Sequence, residues 1–534
     1  MSKKLYEEGN IQNIASAIRN KLGVSDTYLT SEMADAILSI TTEPTLESIT
    51  ISSNGSYSPG VGVDGFSNVV VSIPASGGIL VSKSISQNGT YIALDDSADG
   101  YSEVVVSVQG GGSDENINVL AGVLSGSINT DVSLIRAYFA YQNTYVTGLY
   151  APNVKTIGDS AFHTCSKMLA ISLPSVEVVG SYAFKDCYRL RTIELPNCNT
   201  IKNAAFDHCM SVSQFSFPNC TSIGYGALSG CTEMTDIYAP NCTYISNCAF
   251  YGCSRLTSVY FPNVAVSSGV TDGMRSVFMQ CQNLKTVNLE NVKIIGQYCF
   301  NDCPNLENVI LTNCIFISGW ENASPFANCG KLSYINLPAC TSLGNNVFDG
   351  RTALEIVSAP NLSRIGSWTF RKAGITSAIF PELSTMGSRA FGSCFYLAEV
   401  YMPKLTVLAV NAFDYCSSLT SVEFPSVSRA ISGGDNANGQ FGYCINLKTA
   451  SFPILSGVAN SMFKFCSSLE SLYLLSTSVA VLSHSNAFAS TPIADSSYLG
   501  YFGSIFVPES LVDAYKSATN WSFYSDRITA YIEQ

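Results

Sequence analysis

A phenylalanine recurs about every 22 residues through most of this chain, and no other feature constrains the fold as strongly. The best copies place an alanine directly before it and a cysteine three residues after it. Leu228 replaces it once, and the other positions are Phe162, Phe184, Phe206, Phe250, Phe278, Phe300, Phe326, Phe348, Phe370, Phe391, Phe413, Phe441, Phe463 and Phe488. A constant short period is typical of solenoids, in which each repeat contacts mainly its neighbours. The period therefore predicts a mainly β solenoid, a fold class that usually binds and rarely catalyses.

The copy from Gly180 to Pro196 shows how the strand and the turns of one repeat are arranged. Leu190, Ile193 and Leu195 have the spacing of a strand, and Pro196 ends that strand outside the hydrogen-bonding ladder. Gly180 marks the opposite turn, just before the phenylalanine. We expect each repeat to contribute one strand to a continuous parallel sheet.

The segments around the array divide the chain into four predicted parts. Residues 1–41 carry an apolar helical stripe, and we interpret them as helices that dock on another protein. Residues 42–112 hold two copies of a small β unit with Asn-Gly and Asp-Gly turns and valine strands, followed by a glycine-rich linker. The solenoid is predicted over 113–505, with a degenerate opening repeat near 119–150. A C-terminal cap follows over 506–534, with a closing helix that starts at Ser510 and continues toward Trp521.

Composition excludes several classes of partner. Charged residues make up 13% of the chain, the net charge is −12, and there is no run of lysine or arginine. Phosphate binding needs a basic surface, so we expect no nucleic-acid partner. No stretch of 18 apolar residues occurs, and we therefore expect no membrane insertion. The first 30 residues lack the apolar core of a signal peptide, so we expect synthesis in a cytoplasm and another route to any exterior site.

The chain has 19 cysteines, and most of them follow the repeat. Twelve lie three residues after the repeat phenylalanine or its leucine substitute, and five more share a position that elsewhere holds valine or leucine. Exchange with small apolar residues favours buried, reduced thiols, while stacked disulfides and metal ligation are the alternatives. No CxxC pair and no histidine spacing points to zinc, and we expect no cofactor.

The array resembles the BspA-like leucine-rich repeats of bacterial and phage surface proteins. The resemblance rests on the pattern from Val179-Gly180 through Ala183-Phe184 and Cys187 to Pro196, and on the closing segment that contains Trp521. It implies a capped leucine-rich solenoid with a binding role.

The N-terminal part resembles tail-associated proteins of phages and prophages of Gram-positive gut bacteria. The matching segments are Ile11–Arg19, Ser31–Ile37 and the Asn-Gly-x-Tyr units. This resemblance implies a phage tail fibre or receptor-binding protein that works at the bacterial surface, with its N-terminus on a tail or baseplate protein. Fibres of this kind are often homotrimers, which short bundled helices would suit. The alternatives are a bacterial cell-surface adhesin of the BspA type and an intracellular protein-binding scaffold.

The first candidate site is the outer face of the sheet. Strand side chains alternate, so the eighth and tenth positions after each phenylalanine point outward. Aromatic rings and carboxylates suit the C–H faces and hydroxyl groups of sugars, although tyrosine also favours strands for purely structural reasons. The candidate ligand-binding residues on this face are Glu194, Asp236, Tyr238, Tyr260, Tyr334, Tyr401, Glu423 and Tyr473.

The second candidate site is formed by four insertions that lengthen the period, at 266–275, 317–324, 428–439 and 476–485. We expect all four to emerge between the strand and the next phenylalanine turn, on one side of the solenoid. Their candidate ligand-binding residues are Trp320, Asp435, Asn436 and Asn438. The alternative is that these loops are tolerated surface insertions.

Catalysis finds no support in the sequence. None of the motifs that pair a base with a nucleophile, or that bind phosphate or zinc, is present. His163 and His208 occupy different positions of their repeats, so we expect no common site between them. Glu194 and Glu423 leave a carboxylate pair across repeats open. We interpret the chain as a binding protein and not an enzyme.

Overall fold

The computed structural model describes the backbone strands within 46–51, 65–71, 107–108 and 126–130, and then residues 133–267, 273–434 and 437–532. The predicted N-terminal helices, most of the second β unit, the glycine-rich linker, Asp435 and Asn436 lie outside the described residues. Among the described residues, no helix has the length and apolar character needed to cross a bilayer.

The first β unit forms a parallel pair of strands. Leu46–Ile51 pairs with Gly65–Val71, with an irregularity in register between Glu47 and Ser48. The valine run of this unit is therefore a strand, as predicted. These two strands and the solenoid belong to different compact units of the chain.

The solenoid has two rows of parallel strands, and each turn adds one strand to each row. The front row comprises Ser107–Val108, Gly126–Thr130, Val146–Tyr150, Ala170–Ser172, Thr192–Glu194, Gln214–Ser216, Asp236–Tyr238, Ser258–Tyr260, Thr286–Asn288, Asn308–Ile310, Tyr334–Asn336, Ile356–Ser358, Ser377–Ile379, Glu399–Tyr401, Ser421–Glu423, Thr449–Phe452, Ser471–Leu474, Ser504–Pro508 and Ile528–Tyr531. The sequence predicted the strands of the repeats and a last strand near 505–508, and the in-register pairing of successive turns confirms a parallel solenoid. It did not predict that Ser107–Val108 and Ile528–Tyr531 extend the row at its two ends.

The second row was not predicted as a separate sheet. Its strands have two residues each, because the chain turns again before the phenylalanine. They are Leu134–Ile135, Thr156–Ile157, Val178–Val179, Thr200–Ile201, Ser222–Ile223, Tyr244–Ile245, Val266–Ser267, Ile294–Ile295, Phe316–Ile317, Ser342–Leu343, Arg364–Ile365, Thr385–Met386, Val407–Leu408, Arg429–Ala430, Gly457–Val458 and Val481–Leu482.

The repeat phenylalanines form a ladder of stacked rings between the two rows. Phe162, Phe184 and Phe206 stack with ring centroids 5.3 Å apart and nearly parallel planes. Leu228 interrupts the ladder, which resumes at Phe250 and continues to Phe488. All of these rings are fully buried, so each turn contributes apolar burial and an aromatic contact with the next turn.

The backbone is left-handed two residues before and two residues after most of the repeat phenylalanines. Around Phe184 these are Tyr182 and Asp186, each with φ of 59°. This conformation is costly for residues other than glycine. It is compensated by hydrogen bonds from turn to turn, such as the amide of Phe184 to the carbonyl of Ala205 at 2.8 Å.

The cysteines are free thiols, and all but Cys248 are buried. The thiol of Cys187 donates to the carbonyl oxygen of Phe162 at 3.2 Å, and the other cysteines of the phenylalanine series repeat this contact. Burial raises the pKa of Cys198 to about 12 and that of Cys220 to about 11. The interpretation as buried reduced thiols is confirmed, with half-buried Cys248 as the exception.

The C-terminal end covers the last phenylalanine with aromatic side chains. Short helices run over Ser485–Phe488, Ser496–Tyr498, Glu509–Leu511, Val512–Ser517 and Trp521–Arg527. The ring of Phe488 contacts Trp521 and Tyr524, and the indole N–H of Trp521 donates to the carbonyl of Ala480 at 2.6 Å. The predicted single closing helix was wrong, because the α-helix ends at Ser517 and Asn520 has φ of 65°.

Candidate binding face

The outward side chains of the front row form a surface that we call the front face. Its positions are the eighth and tenth after the repeat phenylalanine or its leucine substitute, from Phe162 to Phe463. The exception is Phe370, after which the period is one residue shorter and the outward positions are the seventh and ninth, Ser377 and Ile379. In Asp236–Tyr238 both ends are exposed while the central isoleucine is buried, and most front strands repeat this alternation. The predicted outward orientation of the candidate residues is therefore observed.

Tyr238 and Tyr260 are 59% and 58% exposed and lie on consecutive turns beside Asp236. Their strands belong to different sheets, so the predicted continuous ladder is wrong at this point. The front row has four such breaks, at 194/214, 238/258, 358/377 and 401/421. The two rings make no ring–ring contact with each other among the described residues, and both remain open to a ligand.

Glu194 lies at the first of these breaks. It borders a groove that is lined by Ile193 and by Pro174, Pro196 and Pro218 of three successive turns. Ile193 is only partly buried, unlike most central residues of the front strands. Glu194 thus places a carboxylate next to exposed apolar surface.

The remaining front-face candidates have different surroundings. Tyr334 pairs with Ile356 across neighbouring strands, Tyr401 pairs with Ile379, and Glu423 lies opposite Ser451.

Tyr473 has a structural explanation that the sequence did not reveal. Its ring stacks on Phe506 at 4.7 Å and meets Tyr531 edge-on at 5.8 Å. Tyr473 therefore joins the last repeat to the C-terminal cap.

The front face from Ala170 to Tyr473 carries carboxylates but no cation. None of its positions holds lysine, arginine or histidine. Its four carboxylates, Glu194, Asp236, Glu399 and Glu423, form no ion pair with any described residue. Ion pairs of lysine and arginine in the described part of the solenoid lie elsewhere, and they include Lys155–Glu177, Lys185–Asp207, Arg255–Glu233, Lys331–Glu307, Arg371–Asp349, Arg389–Asp414 and Lys404–Glu382. The acidic groups of the front face are thus left for a ligand or solvent.

The insertions only partly match the predicted second site. Those at 266–275, 317–324 and 428–439 follow a strand of the second row or continue from it, as expected for a common side. In the one at 476–485 the strand Val481–Leu482 lies in the middle, so extra residues precede this second-row strand as well as follow it. Trp320 is 63% exposed and is open to contact.

Asn438 stabilises its own loop. Its side-chain amide donates to the carboxylate of Asp414 at 3.2 Å, and that carboxylate lies 3.4 Å from Arg389. Burial raises the pKa of Asp414, against the opposing effect of the Asn438 hydrogen bond and Arg389. This contact gives Asn438 a structural role, whereas Asp435 and Asn436 lie outside the described residues.

The structure brings His163 and His208 to one carboxylate, contrary to the expectation from their positions. The Nε2 atom of His163 is 3.4 Å from Asp186, and Nδ1 of His208 is 3.9 Å from Asp186 and 2.9 Å from Asp207. The three residues lie on consecutive turns, and Asp186 is on the turn between the two histidines. Among the described residues, no group of three histidine, cysteine, aspartate or glutamate side chains has a geometry suited to a metal ion.

The comparison with protein families decides the class of the solenoid. The model for the BspA type leucine rich repeat region matches in six copies, over residues 135–257, 221–355, 322–437 and 384–500. These matches together cover more than half of the chain. The chain belongs to the BspA-type leucine-rich repeat family. No curated protein matches it.

The solved structures that match this chain include other leucine-rich repeat proteins. A protein from Bacteroides ovatus is 22% identical, with a TM-score of 0.44, and the match covers 74% of this chain and 95% of that one. A leucine rich cell surface protein from Faecalibacterium prausnitzii is 17% identical, with a TM-score of 0.32 and coverage of 80% and 99%. A leucine-rich repeat protein from T. pallidum is 22% identical, with a TM-score of 0.26 and coverage of 43% and 83%.

Proposed function

We propose that this BspA-type solenoid is the receptor-binding part of a phage tail fibre and recognises a glycan or protein at a bacterial surface. The observation that carries the binding role is the front face, where exposed tyrosines and unpaired carboxylates lie together without a single cation. Such groups are not needed to hold the turns together, because the buried ladder and the turn-to-turn hydrogen bonds do so. They provide stacking surfaces and acceptors for a ligand.

The region around Tyr238, Tyr260 and Asp236 is the part of the front face that suits a sugar chain. Its neighbours are hydroxyl and amide side chains, such as Ser216, Ser258 and Asn288, which donate and accept hydrogen bonds. Two tyrosine rings on consecutive turns offer stacking surfaces to successive sugar rings. We therefore assign the glycan, if the receptor is one, to this part of the face.

The assignment to a phage tail is supported by the N-terminal sequence. Ile11–Arg19, Ser31–Ile37 and the repeated Asn-Gly-x-Tyr units resemble tail-associated proteins, which implies docking on a tail or baseplate protein and agrees with a homotrimer. A virion assembles in the cytoplasm, so its fibre needs no export signal of its own. The site of action is then the bacterial surface, reached as part of the virion.

Binding of the full-length protein to whole cells tests the receptor role. Cells of a panel of gut strains are compared with and without enzymatic removal of surface polysaccharide, and bound protein is measured by fluorescence. Binding that is lost with the polysaccharide identifies a glycan receptor, and binding that is lost with surface proteolysis identifies a protein. No binding to any strain would contradict the receptor role.

Mass spectrometry of purified phage particles from the producing strain tests the tail assignment. The proposal expects the chain in the particle fraction together with tail proteins. Its presence on the cell surface without particles would instead favour the bacterial adhesin. Its presence only in the cytosol would favour the intracellular scaffold.

A further inference from the structure

Five exposed apolar side chains follow one another across consecutive turns of the front face. Ile310, Tyr334, Ile356, Ile379 and Tyr401 are between 38% and 53% exposed, and we call them the apolar stripe. Tyr334 lies beside Ile356 and Ile379 lies beside Tyr401 in neighbouring strands. Ile310 lies beside Asn336 and not beside Tyr334, and the strands of Ile356 and Ile379 belong to different sheets. The stripe therefore shifts sideways by two residues at both places, because Tyr334 and Ile356 begin their strands whereas Ile310, Ile379 and Tyr401 end theirs. Along the stacking direction it extends over roughly 19 Å, at about 4.8 Å per strand.

The fold does not require apolar side chains at these positions. Isoleucine favours strands, but other outward positions of the front row hold Ser, Thr, Asn or Gln in strands of the same length. Tyr473 shows the contrasting case, because its ring is covered by Phe506 of the same chain. No described ring stacks on Tyr334 or Tyr401. The stripe is thus a solvated apolar surface, of the kind that marks an interaction site.

Carboxylates lie beside the stripe, and the cation Lys331, three residues before Tyr334, is paired with Glu307 at 3.8 Å. Glu355 lies at the start of a stripe strand, Glu399 lies two residues before Tyr401, and Glu423 is on the next turn. None of the three forms an ion pair with a described residue. Lys404, a cation just beyond the strand of Tyr401, is engaged with Glu382 at 2.6 Å. A partner that buries the stripe therefore places the charges beside its own apolar side chains next to these three carboxylates.

The spacing of the stripe fits an α-helix that lies along it. A helix repeats its apolar face every 5.4 Å, close to the interval of about 4.8 Å between strands. Five side chains at one per helical turn span four turns, so a helix of about 15 residues would meet the whole stripe. An extended peptide matches less well, because its side chains on one face recur about every 6.7 Å. A sugar chain also matches less well, because isoleucine side chains have no hydrogen-bonding groups to offer to its hydroxyls.

We propose that the apolar stripe binds an amphipathic α-helix of a protein partner, with lysine or arginine beside its apolar face. Isoleucine and tyrosine side chains pack against the apolar face of the helix, while Glu355, Glu399 and Glu423 attract the flanking cations. This inference deepens the proposed function, on which it rests, by naming the partner class for one part of the front face. The polar region around Tyr238 and Tyr260 remains a separate site.

The test uses the full-length protein and a fluorescein-labelled helical peptide of about 18 residues, built from leucine and lysine with leucines on one face. Binding is followed by fluorescence anisotropy. The double variant Ile356→Ser/Ile379→Ser should raise Kd at least about tenfold, because it removes the centre of the contact. The matched control Ile315→Ser/Ile454→Ser removes two exposed isoleucines outside the front face and should leave Kd unchanged.

Two further measurements test separately the contribution of the carboxylates and the requirement for a helical peptide. Glu399→Gln/Glu423→Gln should weaken binding and reduce its dependence on salt, while a scrambled peptide of the same composition should bind at least about tenfold more weakly. Equal binding of the scrambled peptide, or equal effects of the stripe and control variants, would overturn the proposal. Circular dichroism melting shows whether the serine variants retain the fold.

Cell binding distinguishes a failure of this proposal from a failure of the proposed function. If the peptide does not bind while Tyr238→Ser/Tyr260→Ser still abolishes binding to cells, the stripe proposal is wrong and the receptor role stands. If polysaccharide competes with the helical peptide and the stripe variants lose cell binding, the stripe is part of a glycan site and the helix proposal is overturned.

Discussion

Replacing Gly224 with alanine tests how closely successive turns are stacked. A Cβ atom at Gly224 would lie 2.7 Å from both the amide nitrogen of Asn203 and the carbonyl carbon of Lys202. Both are backbone atoms of the preceding turn, so a side-chain rotation cannot relieve the contact. Overpacking of this kind usually costs about 1–3 kcal/mol, and we expect about 3 kcal/mol here because the backbone itself must move.

Gly226→Ala is the matched control in the same turn. Gly226 has φ of 57°, and its added Cβ would meet only the Cβ of Ser229, at 3.9 Å. The preceding turn accepts Ala204 at the equivalent position with φ of 51°. The cost should therefore be only the left-handed strain, about 1 kcal/mol.

Local stability is the appropriate measurement, because a long repeat array does not unfold in two states. Hydrogen exchange with mass spectrometry should show faster exchange over residues 200–250 in Gly224→Ala than in Gly226→Ala. The midpoint of urea unfolding should fall in the same order. Equal exchange in the two variants would refute the argument that the turns are in backbone contact at Gly224.

Four further predictions concern the interior and its edges. Phe300→Ala should destabilise the solenoid by about 3–5 kcal/mol, and Phe300→Leu by clearly less, since leucine occupies the ladder at 228; urea unfolding measures both. Burial raises the pKa of Cys165 to about 12 and of Cys220 to about 11, so stability should fall as pH rises above the ordinary value of 9.0, where unfolded thiols ionise. Titration with a thiol reagent at pH 8 should detect Cys248 first and the buried thiols only after denaturation. Asn241→Ala should cost about 1 kcal/mol in urea unfolding, because its side-chain amide donates to the carbonyl of Pro218 in the preceding turn.

Much of the solenoid could be predicted because its signals recur in every turn. The phenylalanine period, the cysteines that exchange with valine and leucine, and the alternation of the front strands each reflect one buried or exposed position that is repeated many times. The left-handed positions beside each phenylalanine were missed, because they hold residues as different as Tyr182, Asp186 and Ser160. Their conformation is set by hydrogen bonds to the next turn, which no local pattern reveals.

The candidate site was less predictable, because it depends on contacts between turns that differ from one another. The breaks in the front row, the stacking of Phe506 on Tyr473 and the contact of Asn438 with Asp414 each occur once. Asp186 lies near His163 and His208 because its turn stacks between theirs. The exposure of Tyr238 and Tyr260 could be predicted from the alternation of side chains along the front strands. The lack of cations on the front face emerged only when all of its outward positions were compared.

Comparison of two tyrosine variants in the cell-binding assay tests most directly whether the front face is the recognition surface. Tyr238→Ser/Tyr260→Ser changes two exposed rings of the front face, and Tyr182→Ser/Tyr188→Ser changes two exposed rings on the phenylalanine turns. We predict that the first variant loses at least about 90% of the binding to receptor-bearing cells, a change of about tenfold, and that the second retains it. Unchanged binding by the front-face variant, together with loss in the turn variant, would contradict the assignment of recognition to the front face.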